Sequence, residues 1–258
     1  GIPAAAAGSI MSIADAILLF VAGFLSGVVN AIAGGGTFLT FGAMTLTGLP
    51  PIVANATSSI TQFPGYVTSS LAYAKEIKAD WREAALLGVI SLVGGLGGAL
   101  LLLSLDNPSF RALVPWLLLA ATVIFAAGPY LKPKTLHAET PVSPLGLAGQ
   151  FATSIYGGFF GAGMGIMMLA VLGLTKGGDY HRLNALKNFL AVVIAAVAIV
   201  VFASGDVVGW PQAAVMVPAG ALGGWSGVWA ARRVPQPVIR ALVVAVGAAL
   251  TVYYFVTG

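Results

Sequence analysis

One largely apolar stretch carries four polar side chains at helical spacing: Asn55, Ser58, Ser59 and Gln62. Their spacing of i, i+3, i+4 and i+7 puts all four on one face of a helix. A second stretch carries Asn184, Lys187 and Asn188 at an offset of 129 residues from Asn55, Ser58 and Ser59. Amides and hydroxyls donate hydrogen bonds to an anion, and the lysine adds a positive charge. Binding of a small anion is the chemistry this pattern predicts. Enzyme chemistry is not expected, because the chain has no Cys, no HExxH, only two His and no acidic pair within an apolar stretch. For the same reasons no metal ion or cofactor is predicted.

Lys187 opens a long apolar run, and a lysine at the centre of a membrane helix costs about 2.5–3.5 kcal/mol. Two readings follow. The side chain snorkels to the headgroups from a position roughly 8–12 Å along its helix, or an anion compensates its charge. Two glycine clusters, Gly34-Gly35-Gly36 and Gly161/Gly163/Gly165, precede short apolar segments. Glycine there allows a sharp reversal and exposes N–H groups at a helix start, where the dipole favours an anion. The competing reading of these clusters is close helix packing, to which Gly94, Gly98, Gly223 and Gly227 are assigned. His181 and Arg182 lie before Lys187, as an entrance or proton-linked pair on one reading and as a solvated residue and a topology charge on the other. Asp15 is the best acidic candidate for such coupling, against an exposed carboxylate at a helix start.

The elements that must position these groups belong to a membrane. Hydrophobic residues make up 59% of 258 positions, charged ones 8%, and mean hydropathy is +0.97. That apolar surface exceeds what a soluble core hides, so a lipid bilayer is the solvent. The net charge of +4 is dispersed in short loops, which suits membrane topology and not nucleic acid. Residues 1–10 read as an appended low-complexity linker before a start at Met11.

Slid against itself, the sequence matches at the offset of 129: Gly34 and Gly36 fall on Gly163 and Gly165, Asn55 on Asn184, Trp81 on Trp210, and Pro108 and Arg111 on Pro237 and Arg240. A constant register over such distinctive residues marks a duplication. Each copy reads as five apolar segments: 13–32, 36–48, 52–74, 82–105 and 109–130, then 144–161, 165–175, 181–203, 211–231 and 238–257. The second of each set spans only about 17–20 Å, a half-helix or re-entrant arm, which leaves eight to ten crossings. Lys75, Lys78 and Arg82 have no basic counterparts in the second copy, whereas Lys176, Arg182 and Arg232-Arg233 have none in the first. With Lys132 and Lys134, basic residues occupy one alternating set of loops, Arg111 excepted. Opposed charge in aligned copies predicts an all-α integral membrane protein of two inverted repeats, 11–130 and 144–258, joined by a cytoplasmic loop over 131–143, with both termini outside.

The stretch GFLSGVVNAIAGGGTFLTFGAMTLTGLPPIVANAT from Gly23, with GGFFGAGMG and LNALKN in the second copy, resembles the sulfite exporter TauE/SafE family. The resemblance covers 11–258 and implies a transporter, as an exporter of sulfite, sulfoacetate, another sulfonate or an organic anion, in a bacterial inner membrane. The residues themselves leave two alternatives, an anion channel and a non-transporting membrane subunit.

Overall fold

The computed structural model describes residues 11–32, 35–131, 140–178, 180–230, 233 and 235–257. Its elements run α1 (Ile13–Ile32), α2 (Thr37–Leu46), α3 (Pro51–Ala72), α4 (Ala74–Ala79), α5 (Trp81–Ser104) and α6 (Asn107–Leu131). There follow α7 (Pro144–Phe159), α8 (Met164–Thr175), α9 (Tyr180–Ser204), α10 (Trp210–Ala230) and α11 (Gln236–Thr257), with no strand among the described residues. Local chemistry sets several boundaries. Pro51 and Pro144 take first-turn positions, where a missing N–H costs nothing, and the Ser143 hydroxyl caps α7 by accepting from the Gly146 N–H. Gly163, left-handed at φ 77°, turns the chain into α8.

Apolar side chains cover the outside as well as the core, and several polar groups are buried. Ser26, Thr40, Asn55, Ser58, Gln62 and Gln150 are buried, while Leu86, Val89, Val93, Leu100, Trp116, Val123 and Val256 face outward. Polar groups hidden from lipid and aliphatic groups presented to it are what a bilayer demands. Five helices are long and apolar enough to cross: α1, α5, α6, α9 and α11. α3 and α10 match them in length, at 22 and 21 residues, but carry Pro64 and Pro218 and, in α3, the polar face. The short segments are helices of 10 and 12 residues. α2 is embedded in protein, with Phe38, Phe41 and Met44 buried in the main core.

Pro51 and Tyr180, Trp81 and Trp210, and Asn107 and Gln236 open helices at the 129-residue offset, and only α4 has no counterpart at that register. The helices pack across the two halves: α1 lies against α10, α7 against α5, and α6 against α11, with α3 and α9 crossing between them. Glycine makes the tightest of these contacts. A Cβ at Gly98 would stand 2.0 Å from the Ile155 carbonyl oxygen, and one at Gly223 1.9 Å from that of Phe24. Backbone meets backbone there, in agreement with the packing role read for Gly94, Gly98 and Gly223; the surroundings of Gly227 lie outside the described residues.

Candidate functional site

The polar face of α3 turns inward, as its spacing requires. Asn55 is buried and donates from Nδ2 to the carbonyl of Phe159, the last residue of α7, at 2.8 Å. It thereby ties α3 to the reversal between α7 and α8. Ser59 donates to the Asn55 carbonyl at 3.3 Å, and Ser58 is fully buried with an Oγ that has no partner among the described residues. Gln62 anchors a network. Its Nε2 donates to Ser26 Oγ at 2.6 Å and reaches Thr40 Oγ1 at 3.4 Å, its Oε1 accepts from Asn30 Nδ2, and Asn30 Oδ1 accepts from the Gly36 N–H at 2.9 Å. The amide of α3 thus holds α1 and the start of α2 together, and a Cβ at Gly36 would press on the Ser26 carbonyl oxygen at 2.4 Å.

Beside this network lies a small cavity. Thr37, Ser59, Gln62 and Tyr66 form its polar wall. Gly157, Gly161 and Met164 of the α7–α8 reversal, with Ile194, Ala195 and Ala198 of α9, form the other. Both glycine reversals therefore approach one space, which α3 and α9 bound from either side. Gly35 and Gly161, like Gly163, adopt left-handed backbone that a side chain would strain.

The second polar set stands further along α9. Asn184 donates from Nδ2 to the Tyr73 hydroxyl at 3.3 Å, and Asn188 is buried. Lys187 is half-buried against α8, its Cδ 3.5 Å from where a Cβ of Gly165 would sit. It makes no hydrogen bond or ion pair among the described residues. Lys187 shares a helix face with Ile194 and Ala198, about 10 Å from Ile194 along the axis. The structure places Ser59 and Gln62 in the cavity wall and leaves Asn184, Lys187 and Asn188 outside its lining.

Arg182 forks onto Asp80, its Nε 3.1 Å from Oδ2 and its Nη2 2.5 Å from Oδ1. Lys176, 4% exposed, pairs with Glu83, whose other oxygen accepts from the Val142 N–H at 2.8 Å. Two ion pairs thus clasp the α4–α5 elbow to the ends of α8 and α9, and the charge of Arg182 is balanced there by a carboxylate. Asp15 lies in the first turn of α1, where its N–H donates to Ser12 Oγ. Gly34 and the side chain of His181 lie outside the described residues.

The family model for the sulfite exporter TauE/SafE aligns with residues 19–254. The chain belongs to the TauE/SafE family. It is similar to a "Probable membrane transporter protein" of Haemophilus influenzae, 28% identical over 227 residues that cover 88% of this chain and 89% of the relative. It is also similar to the "Probable membrane transporter protein YfcA" of Escherichia coli K12, 25% identical over 235 residues covering 91% and 87%. This TauE/SafE chain is an integral membrane protein of a transporter family.

Sequence reasoning missed the partners of Gln62. Ser26 and Asn30, four apart on α1, share a face as Asn55 and Ser59 do, and Asn30 heads the motif that leads into the glycines. Tyr66, four residues after Gln62, continues the same face of α3, and Thr37 shares a face of α2 with Thr40, so both also had a periodic signal.

Proposed function

We propose that this TauE/SafE protein is a secondary transporter that exports a small sulfur-containing or organic anion, such as sulfite, sulfoacetate or another sulfonate, across the bacterial inner membrane. The observation that carries the reading is the cavity between α3 and α9, with its wall of hydroxyls and one amide. Asn55, Ser58, Ser59 and Gln62 act from α3, the last two on the wall itself. Asn184, Lys187 and Asn188 guide the anion along α9. Gly35, Gly36, Gly163 and Gly165 shape the reversals that flank the cavity.

Alternating access by two inverted repeats fits the packing, because helices of one half lie against helices of the other through backbone-close contacts that can slide. The topology with both termini outside is supported by the ion pairs: they join the basic elbow after α3 to the basic loop after α8 at one end of the molecule, as a single cytoplasmic side requires. Transport is expected to need no chemical step, so the protein has no enzyme role in this scheme.

Proteoliposomes loaded with sulfite or isethionate test the reading. Efflux is expected from wild type and is expected to fall at least about tenfold in Lys187→Ala and Asn184→Ala, the scale of one lost charge-assisted hydrogen bond. Efflux unchanged in both variants would remove the α9 residues from the path. No efflux of any anion would remove the anion reading itself.

A further inference from the structure

The cavity is small and its charge inventory is short. None of the described residues that line it carries an ionised side chain: the polar wall is Thr37, Ser59, Gln62 and Tyr66, and the rest is glycine or apolar. An anion placed there leaves its hydration shell for neutral donors only. The cost of that transfer rises with the square of the charge, so a dianion meets about four times the penalty of a monoanion.

Cations near the route repeat the limit. Lys176 and Arg182, the basic residues at the α8–α9 turn, are each matched by a carboxylate, Glu83 and Asp80. Lys187 has no ion-pair partner among the described residues, and it stands on the α9 face that continues to Ile194 and Ala198 in the cavity. Among the described residues of α8, α9 and the turn between them, one positive charge, that of Lys187, therefore has no carboxylate partner, and it balances one negative charge.

The wall also shows which donors are available. Both arms of the Gln62 amide hold Ser26, Thr40 and Asn30, and the Ser59 hydroxyl donates to the Asn55 carbonyl. The hydroxyls of Thr37 and Tyr66, by contrast, make no hydrogen bond among the described residues, and both residues line the cavity. A hydroxyl in a nearly dry space without a protein partner is satisfied by a ligand or by water.

We infer that the α3–α9 cavity accepts singly charged oxyanions and rejects doubly charged ones, with the Thr37 and Tyr66 hydroxyls as the donors that contact the ligand. The inference rests on the anion-transport reading and narrows it: a sulfonate of single charge or a hydrogen-bearing oxyanion passes, whereas sulfate, a disulfonate or a sulfocarboxylate does not, which removes sulfoacetate from the candidates named above.

Thermal stabilisation of the purified full chain tests this at one pH and matched ionic strength, because a ligand that binds only the native state raises apparent stability. Methanesulfonate, nitrate and acetate are set against sulfate, ethane-1,2-disulfonate and sulfoacetate. At least one monoanion is expected to stabilise at a concentration about tenfold or more below that of any dianion. Tyr66→Phe and Thr37→Val, which keep shape and remove only a hydroxyl, are each expected to weaken monoanion binding by about threefold to tenfold. Lys187→Gln is expected to weaken it too, and Lys187→Arg to retain it. Should sulfate match the monoanions, the charge rule fails while anion transport stands. Should neither hydroxyl deletion alter binding, the contact assignment fails. No stabilisation by any anion of either charge would overturn both the inference and the reading beneath it.

Discussion

Arg111 and Arg240 each reach the end of the other's helix. Arg111, near the start of α6, donates from Nη2 to the carbonyl and hydroxyl of Thr257 in α11, at 2.9 and 3.1 Å, and lies over the Tyr254 ring at 5.7 Å. Arg240, near the start of α11, donates from Nη1 to the Phe125 carbonyl of α6 at 3.0 Å and lies over the Phe125 ring at 5.5 Å. The two arginines are aligned at the 129-residue offset, and so are Phe125 and Tyr254. One arrangement is thus built twice, with α6 and α11 running in opposite directions. It also explains why Arg111 stands apart from the other basic residues: it donates to the Thr257 carbonyl at the C-terminal, negative end of α11.

Removing either arginine should therefore loosen one end of the α6–α11 pair. Arg111→Ala is expected to cost about 0.5–1 kcal/mol and Arg240→Ala somewhat more, since its carbonyl partner is less exposed to water. The two sites lie at opposite ends of the pair, so the double variant should be additive within about 0.5 kcal/mol. Thermal melts of the four proteins in one detergent measure this. Strong coupling between the arginines would contradict their separation.

The Glu83–Lys176 pair makes a sharper prediction because Lys176 is almost wholly buried. Glu83→Gln takes this carboxylate away from a buried ammonium and is expected to cost up to about 3 kcal/mol, whereas Glu83→Gln combined with Lys176→Met should recover much of that loss. Stability is read by melting. Since the pair clasps the α4–α5 elbow to α8, a cysteine placed at Lys75 in this Cys-free chain should become more reactive to a water-soluble maleimide in the single variant. Equal reactivity in both would mean that the clasp does not hold the elbow.

Gly36 and Gly165 occupy equivalent positions in the two copies yet are expected to respond oppositely to alanine. A Cβ at Gly36 would stand 2.4 Å from the Ser26 carbonyl oxygen and 2.5 Å from its hydroxyl, contacts that backbone must move to relieve. Gly36→Ala is expected to cost about 1–3 kcal/mol. At Gly165 the added methyl would meet only Lys187 Cδ at 3.5 Å, an ordinary contact within a helix, so Gly165→Ala should be neutral or stabilising by up to about 1 kcal/mol. Comparable losses at both positions would show that the second glycine carries a constraint beyond space.

Much of the helical layout was readable because lipid enforces long apolar runs: the segment expected over 13–32 is α1 to the residue, and 52–74 and 82–105 differ from α3 and α5 by one or two positions. α4 escaped because six residues with Lys75, Glu76 and Lys78 read as a charged loop. The α3 face was visible from its period, and so was its inward direction, since lipid excludes it. Its partners were not. Gln62 meets Ser26 and Asn30 across 36 and 32 residues of chain, and hydrogen bonds at that range leave no periodic trace. In the second copy the offset paired Gln62 with Ala191, so a polar network in one half faces a plain apolar wall in the other. Aligned sequence showed equivalent backbone but could not show that the chemistry had moved to one side.

That one-sided chemistry makes Gln62 the most informative position to change. Gln62→Leu leaves the half-buried Asn30 Nδ2 and the buried Ser26 hydroxyl without this partner, and is expected to destabilise by about 2–4 kcal/mol. Gln62→Glu is different, because its shape is kept, its oxygens accept from Asn30, and the Ser26 hydroxyl can rotate to donate. The fold should survive, with a melting temperature nearer wild type than that of the leucine variant. A carboxylate in the cavity wall would, however, repel an anionic substrate at the point where no cation lines the space. Efflux at neutral pH is expected to fall by about tenfold or more and to recover as pH is lowered, because protonation restores a neutral wall. Efflux undiminished in a well-folded Gln62→Glu protein would mean that the substrate does not pass this wall or does not carry negative charge.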